Sequence, residues 1–154
     1  MEENDVVIEH PNREKAASKA TKSVVLILLL VSVGLMLVVT IGGWDALEGA
    51  KPVQIAYILL YLIIAFYVAR WNRGVLPVAA ALAILLLIFA AVAVPGWYDR
   101  DHDGFAQPSI NAGVLGLITA LIIPVQVLLI AFAMRAFGQA WNVEVERTPA
   151  ASAA

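Results

Sequence analysis

Three carboxylates at alternate positions, Asp99, Asp101 and Asp103, are the densest polar chemistry in this chain, and Gly104 follows them. Carboxylates spaced in this way, ahead of a glycine that permits a sharp turn, can converge on one hard cation; calcium is the ion that takes several such oxygens. His102 stands among them. Asp99, Asp101, His102 and Asp103 are also the only clustered groups with acid–base capacity. No Ser-His-Asp set, zinc-type ligand spacing or phosphate-binding glycine loop occurs elsewhere. The chain has no cysteine, which removes disulfides, thiolate metal sites and cysteine nucleophiles.

The run Asp99-Arg100-Asp101-His102-Asp103-Gly104 resembles the opening of an EF-hand calcium loop, D-x-D-x-D-G. The resemblance ends with these residues. Ile110 stands where the loop needs a bidentate acid, and the flanking helices of an EF-hand are missing. It implies a partial oxygen cage for Ca2+ on Asp99, Asp101 and Asp103, with an affinity on the order of millimolar, as in extracellular calcium modules. The competing reading is a solvated acidic loop that holds an outer segment off a membrane. The shortness of the pattern favours that reading.

The elements that must position this loop are apolar. The run 75–94 contains no charged, amide or hydroxyl side chain. As a helix it reaches about 30 Å, the thickness of a bilayer's hydrocarbon core. The runs 24–41, 52–69 and 112–132 resemble it. The chain is 62% hydrophobic and 14% charged, with mean hydropathy +0.86, whereas a soluble domain is about a quarter charged. Lipid must therefore be the solvent. The expected fold is all-α, an integral membrane bundle of four antiparallel transmembrane helices. Residues 1–22 form an N-terminal tail with a basic helix, 23–134 the transmembrane domain, and 135–154 a C-terminal tail.

Punctuation supports these bounds. Residues 1–10 read as a mobile polar tail, and Asn12 is suited to cap a helix over 13–22 that carries Arg13, Lys15, Lys19 and Lys22. The acidic start is wrong for a secretory signal, so the first apolar run is expected to be a retained anchor. Glu2 occupies the position that myristoylation requires to be glycine. Pro52 suits a first helical turn, residues 70–74 form a tight turn, and Pro95-Gly96 is expected to stop the third span. Ser109 or Asn111 is expected to cap the fourth, which Pro124 kinks. The C-terminal segment is expected to stay helical to Trp141 and then run to a disordered end.

Within the spans, polar groups are few. Ser32 and Thr40 can bond back to their own helix. Tyr57, Tyr61 and Ile64 share a face, where packing against a neighbouring helix is a better reading than cofactor binding. Ala79, Ala83, Ala90 and Val94 form a stripe of small residues that permits close helix approach. Thr119 and Gln126 share a face of the fourth span. Gln126 is expected to bond either the carbonyl freed by Pro124 or a partner subunit, because an amide in lipid needs a partner. Trp44, Trp71, Trp97, Tyr98 and Trp141 fall near span ends, as an aromatic belt does; a quinone or lipid site near Trp97-Tyr98 is the functional alternative.

No span carries Asp, Glu, Lys, Arg or His away from its ends, so proton relays, voltage sensing and a histidine-ligated haem lack their groups. A net charge of −2 carries no signal for nucleic acid. Eight of the ten basic residues lie in the two tails and the 70–74 turn. The positive-inside rule therefore predicts a multi-pass protein of the cell membrane with both termini cytoplasmic. The function expected is that of a non-enzymatic accessory, stabilising or assembly subunit. Its partners are the lipid bilayer and another membrane protein or a second copy of itself, with no nucleic acid. Its docking surfaces are the basic helix at 13–22 and the tail at 141–146. The alternatives are a protein whose outer loop 95–111 binds calcium for sensing or ligand binding, and a small pore or carrier for a neutral solute.

Overall fold

The computed structural model describes residues 6–147. The acidic start at Glu2, Glu3 and Asp5 and the end of the C-terminal tail lie outside the described residues. The chain is mostly helical, and four helices are long and apolar enough to cross a membrane. In order, the elements are β1 (Val7–Glu9), α1 (Pro11–Glu14), α2 (Ala16–Gly42), α3 (Lys51–Ala69), α4 (Val75–Asp99), α5 (Ala112–Gly138) and β2 (Val145–Arg147). Two short 3-10 turns, Trp44–Ala46 and Glu48–Ala50, connect α2 to α3.

The apolar runs explain the long helices, because inside lipid every backbone group must be paired within its own segment. Hydroxyls add to this pairing. Ser32, Thr40 and Thr119 each donate to the carbonyl four residues back. Association then depends on close packing. The small residues Ala79, Ala83 and Ala90 of α4 are buried, and α4 packs most extensively on α5. At Gly116 an added Cβ would lie 3.2 Å from Trp97 and from the Tyr98 ring, so this close approach depends on glycine. The core runs through Val25, Leu29, Met36, Tyr61, Leu76 and Leu129. In contrast, α3 touches α4 little although a short turn joins them.

The structure departs from the sequence reading at four places. Pro95-Gly96 does not stop α4, which continues to Asp99. Proline removes one backbone donor. Here that loss falls in the last turns of the helix and is outweighed by Trp97, which packs inward against Gly43 and Gly116. The segment before α2 is not one helix capped by Asn12. It breaks at Lys15, whose backbone is extended, and Asn12 donates instead to the carbonyl of Ala140 at 2.9 Å. The C-terminal helix ends at Gly138 rather than Trp141. Ala140 then adopts a left-handed φ of 50° and turns the chain back.

Finally, the tails are not free. β1 pairs with β2 in antiparallel register, Val7 opposite Arg147. His10 Nε2 stands 3.2 Å from Glu144 and Arg147 donates to Glu9 at 3.0 Å. Arg13 donates to the carbonyl of Trp141 and Arg73 to that of Phe137. Arg73 thus adds a side-chain donor at the last turn of α5, and Arg13 holds the backbone just beyond it. Trp141, expected in an interfacial belt, is fully buried and packs edge-on to Trp71 with centroids 5.0 Å apart. Lys22 lies over the other ring of this pair, Trp71, at 4.1 Å. Trp97 is likewise buried, whereas Trp44 and Tyr98 keep the exposure that a belt predicts.

Candidate functional site

The acidic run is divided between a helix end and the loop that follows it. Because α4 runs on to its end, Asp99 belongs to the last helical turn rather than to a loop. Asp101 accepts from Asn111 Nδ2 at 3.1 Å and lies so close to Gly113 that an added Cβ there would overlap it. It thus sits at the N-terminus of α5, where a negative charge is stabilised by the helix dipole. Asn111 caps the same end by accepting from Gly113 N at 2.8 Å, and Gln107 accepts from Ala112 N at 3.1 Å. Of the two caps considered from the sequence, Asn111 is the one used. The His102 ring stands 3.1 Å from the carbonyl of Asp103, and Gly104 takes the φ of 99° that only glycine adopts readily. Ile110 ties the loop to α2 by donating its N–H to the Gly42 carbonyl at 3.1 Å. Asp99, Asp101 and Asp103 are not brought together: among the described residues no three acidic or histidine side chains are gathered as metal ligands.

The polar chemistry that the fold does assemble lies inside the bundle. Tyr61 of α3 donates to Gln126 Oε1 at 2.7 Å, and Gln126 Nε2 of α5 donates to Ser32 Oγ of α2 at 2.9 Å. Ser32 in turn donates a hydrogen bond to the Leu28 carbonyl at 2.7 Å. All three side chains are fully buried. Each donor meets an acceptor in sequence, so three helices are tied together at a depth where an unpaired amide would cost several kcal/mol. Gln126 therefore bonds Tyr61 and Ser32 and not the carbonyl freed by Pro124. Its partners are in this polypeptide. The tyrosine face packs as expected, with Tyr57 donating to the Leu82 carbonyl of α4 at 3.1 Å and standing edge-on to Tyr61 at 5.8 Å.

One helical turn away from this triad lies a cleft of about 390 Å³. Met36, Tyr57 and Ile122 line it, and one turn away on the same helices are Ser32, four residues before Met36, and Tyr61 and Gln126, four residues after Tyr57 and Ile122. The hydrogen-bonded triad is thus the floor of the cleft. Its walls are apolar, with Val53 of α3 and Phe89 of α4 on the two sides; both are about half exposed, at 48% and 49%. The weak contact between α3 and α4 is what leaves this side open. Gln54, Thr119, Trp97 and Arg100 are the cleft's side chains with hydrogen-bonding groups besides Tyr57. Gln54 Oε1 is 3.4 Å from Thr40 Oγ1, and Arg100 is 4.0 Å from Glu48 at the rim.

Sequence reasoning found Gln126 and the tyrosine face but not their meeting. Ser32 was legible only as a self-bonding hydroxyl, and it does bond its own helix while also accepting from α5. The cleft had no sequence signal, because it results from the divergence of two helices rather than from a motif. Arg100 was visible as part of the acidic run and, with Lys51, as one of the two basic residues outside the tails and the 70–74 turn. No protein-family model, curated protein or solved structure matches the chain.

Proposed function

We propose that this chain is a non-catalytic integral membrane protein that serves as an accessory, stabilising or assembly subunit of a larger membrane complex. The observation that carries this reading is the use made of polar groups in the spans. Ser32, Tyr61 and Gln126 are spent on holding α2, α3 and α5 together, and no acidic or basic side chain stands among them. A carrier or relay needs such groups at depth, free to change partner. The floor formed by the triad also argues for a packed body over a pore through the single chain. A face of large apolar side chains, including Ile27, Leu30, Leu59, Ile63 and Val92, remains exposed for lipid or for a partner helix.

In this proposal the four helices cross the cell membrane in alternating directions with both termini cytoplasmic. Support comes from the end at which Arg13, Lys22, Arg70, Arg73 and Arg135 occur together with the paired tails, following the positive-inside rule. Mild crosslinking in the native membrane, followed by purification of the full chain, tests the role. A stoichiometric membrane-protein partner is expected. Recovery of the chain as a monomer with nothing attached would overturn it.

A further inference from the structure

The cleft has two properties that together specify an occupant. It is apolar and open at its side, between α3 and α4, and it has a guanidinium at one end. Its lining follows α4 from Leu86 to Arg100, about 21 Å along the helix axis. That exceeds the roughly 15 Å of one leaflet's hydrocarbon, half the thickness of the bilayer core. Arg100 caps the C-terminal end of α4, so it lies at the level where the helix leaves hydrocarbon. In a membrane, an open apolar groove of this length is filled by hydrocarbon, since water there would lack hydrogen-bond partners.

We propose that the cleft is a binding site for one phospholipid with an anionic headgroup, drawn from the leaflet on the Arg100 side. One acyl chain lies between Val53 and Phe89 and ends against Met36, Tyr57 and Ile122, above the Ser32–Tyr61–Gln126 floor. The headgroup phosphate meets Arg100, whose planar fork suits two phosphate oxygens. Gln54 lies in the first turn of α3 at the same end of the bundle, and its amide N–H groups suit a glycerol ester carbonyl. Of the carboxylates beside Arg100, Asp99 is exposed and Asp101 is engaged by Asn111 at the start of α5, and Glu48 offsets the guanidinium only in part. It is 4.0 Å from Arg100 and its side chain is 80% exposed, so that pair is weak and screened. The proposal does not rest on the accessory role, because a lipid seat of this kind fits a subunit, a sensor or a lone protein equally.

The test is native mass spectrometry of the full chain released from nanodiscs of phosphatidylcholine and phosphatidylglycerol. One retained phosphatidylglycerol per chain is expected. Arg100→Gln should lower the preference for phosphatidylglycerol about tenfold or more, the effect of losing charge-assisted hydrogen bonds, while a lipid chain is still retained. Ala93→Trp, at an exposed cleft position, should abolish retention of both lipids. Glu48→Gln should raise the preference. An unchanged preference in Arg100→Gln would overturn the proposal. So would undiminished retention in Ala93→Trp. Arg100 is a surface residue, so its variant reads the headgroup contact even where Ala93→Trp fails to fold.

Discussion

Replacing Gln126 by leucine isolates the energetics of the bundle's buried network. The substitution removes a donor and an acceptor and leaves a side chain of similar size. Ser32 loses little, because its own proton already goes to the Leu28 carbonyl. Tyr61 loses more. Its hydroxyl is fully buried and donates only to Gln126, so it is left without an acceptor, at a cost of about 1–3 kcal/mol. Tyr61→Phe alone leaves Gln126 Oε1 without its donor but keeps the bond from Nε2 to Ser32, and should cost about 1 kcal/mol. The double variant Tyr61→Phe with Gln126→Leu removes both members of the pair. Apolar replacement of both partners is close to neutral, so the double variant should be more stable than Gln126→Leu by about 1–2 kcal/mol. Reversible unfolding in mixed detergent micelles with increasing dodecyl sulfate measures all four proteins. If the losses of the two single variants simply add in the double, the reasoning fails, and Tyr61 and Gln126 are not coupled.

The remaining expectations concern the ends of the helices. Ala140→Gly should raise stability by about 1 kcal/mol in the same assay, because Ala140 has a φ of 50° that a Cβ disfavours. Asn111→Ala should lower it by about 1 kcal/mol by removing the cap of α5, whereas Ser109→Ala should have no comparable effect. Trp141→Ala should cost about 3 kcal/mol or more, since the ring is fully buried against Trp71. The sign specific to its location is protease cleavage within 142–147, which the intact protein should resist. Calorimetric titration with calcium decides the reading of Asp99, Asp101 and Asp103. Saturable heat at millimolar calcium that vanishes when all three become asparagine would establish the cation loop, and absence of heat in the parent chain would end it.

The spans were legible because bilayer thickness imposes a length on them and lipid forbids charge, both properties of a local stretch. The cap at Asn111 was legible for the same reason: its acceptor lies two and three residues from its donors. What could not be read depends on residues far apart in the chain. Pro95 looks like a terminator until Trp97 is seen against Gly43 and Gly116. Trp141 looks like an interfacial anchor until Ala140 turns it inward. An alternating stretch at 142–146 has a strand's pattern but no visible partner, because the partner is at Val7–Glu9. The need of Gln126 for a hydrogen bond could be deduced, but not that Tyr61 and Ser32 would meet it. Likewise, the motif at 99–104 was read from residue types alone, while the continuation of α4 to Asp99 and the position of Asp101 beside Gly113 decide its shape.

The pairing of Val7 with Arg147 has a consequence for biosynthesis. A ribosome delivers Val7–Glu9 first, and that strand must wait, unpaired, while all four long apolar helices are made. Only after Val145–Arg147 leaves the exit tunnel can the two ends meet. The contact closes across all four long helices, so it is among the slowest kind to form. The strand pair therefore forms after the helices: a product that stops before Val145 would have all four helices but leave Val7–Glu9 without its mate.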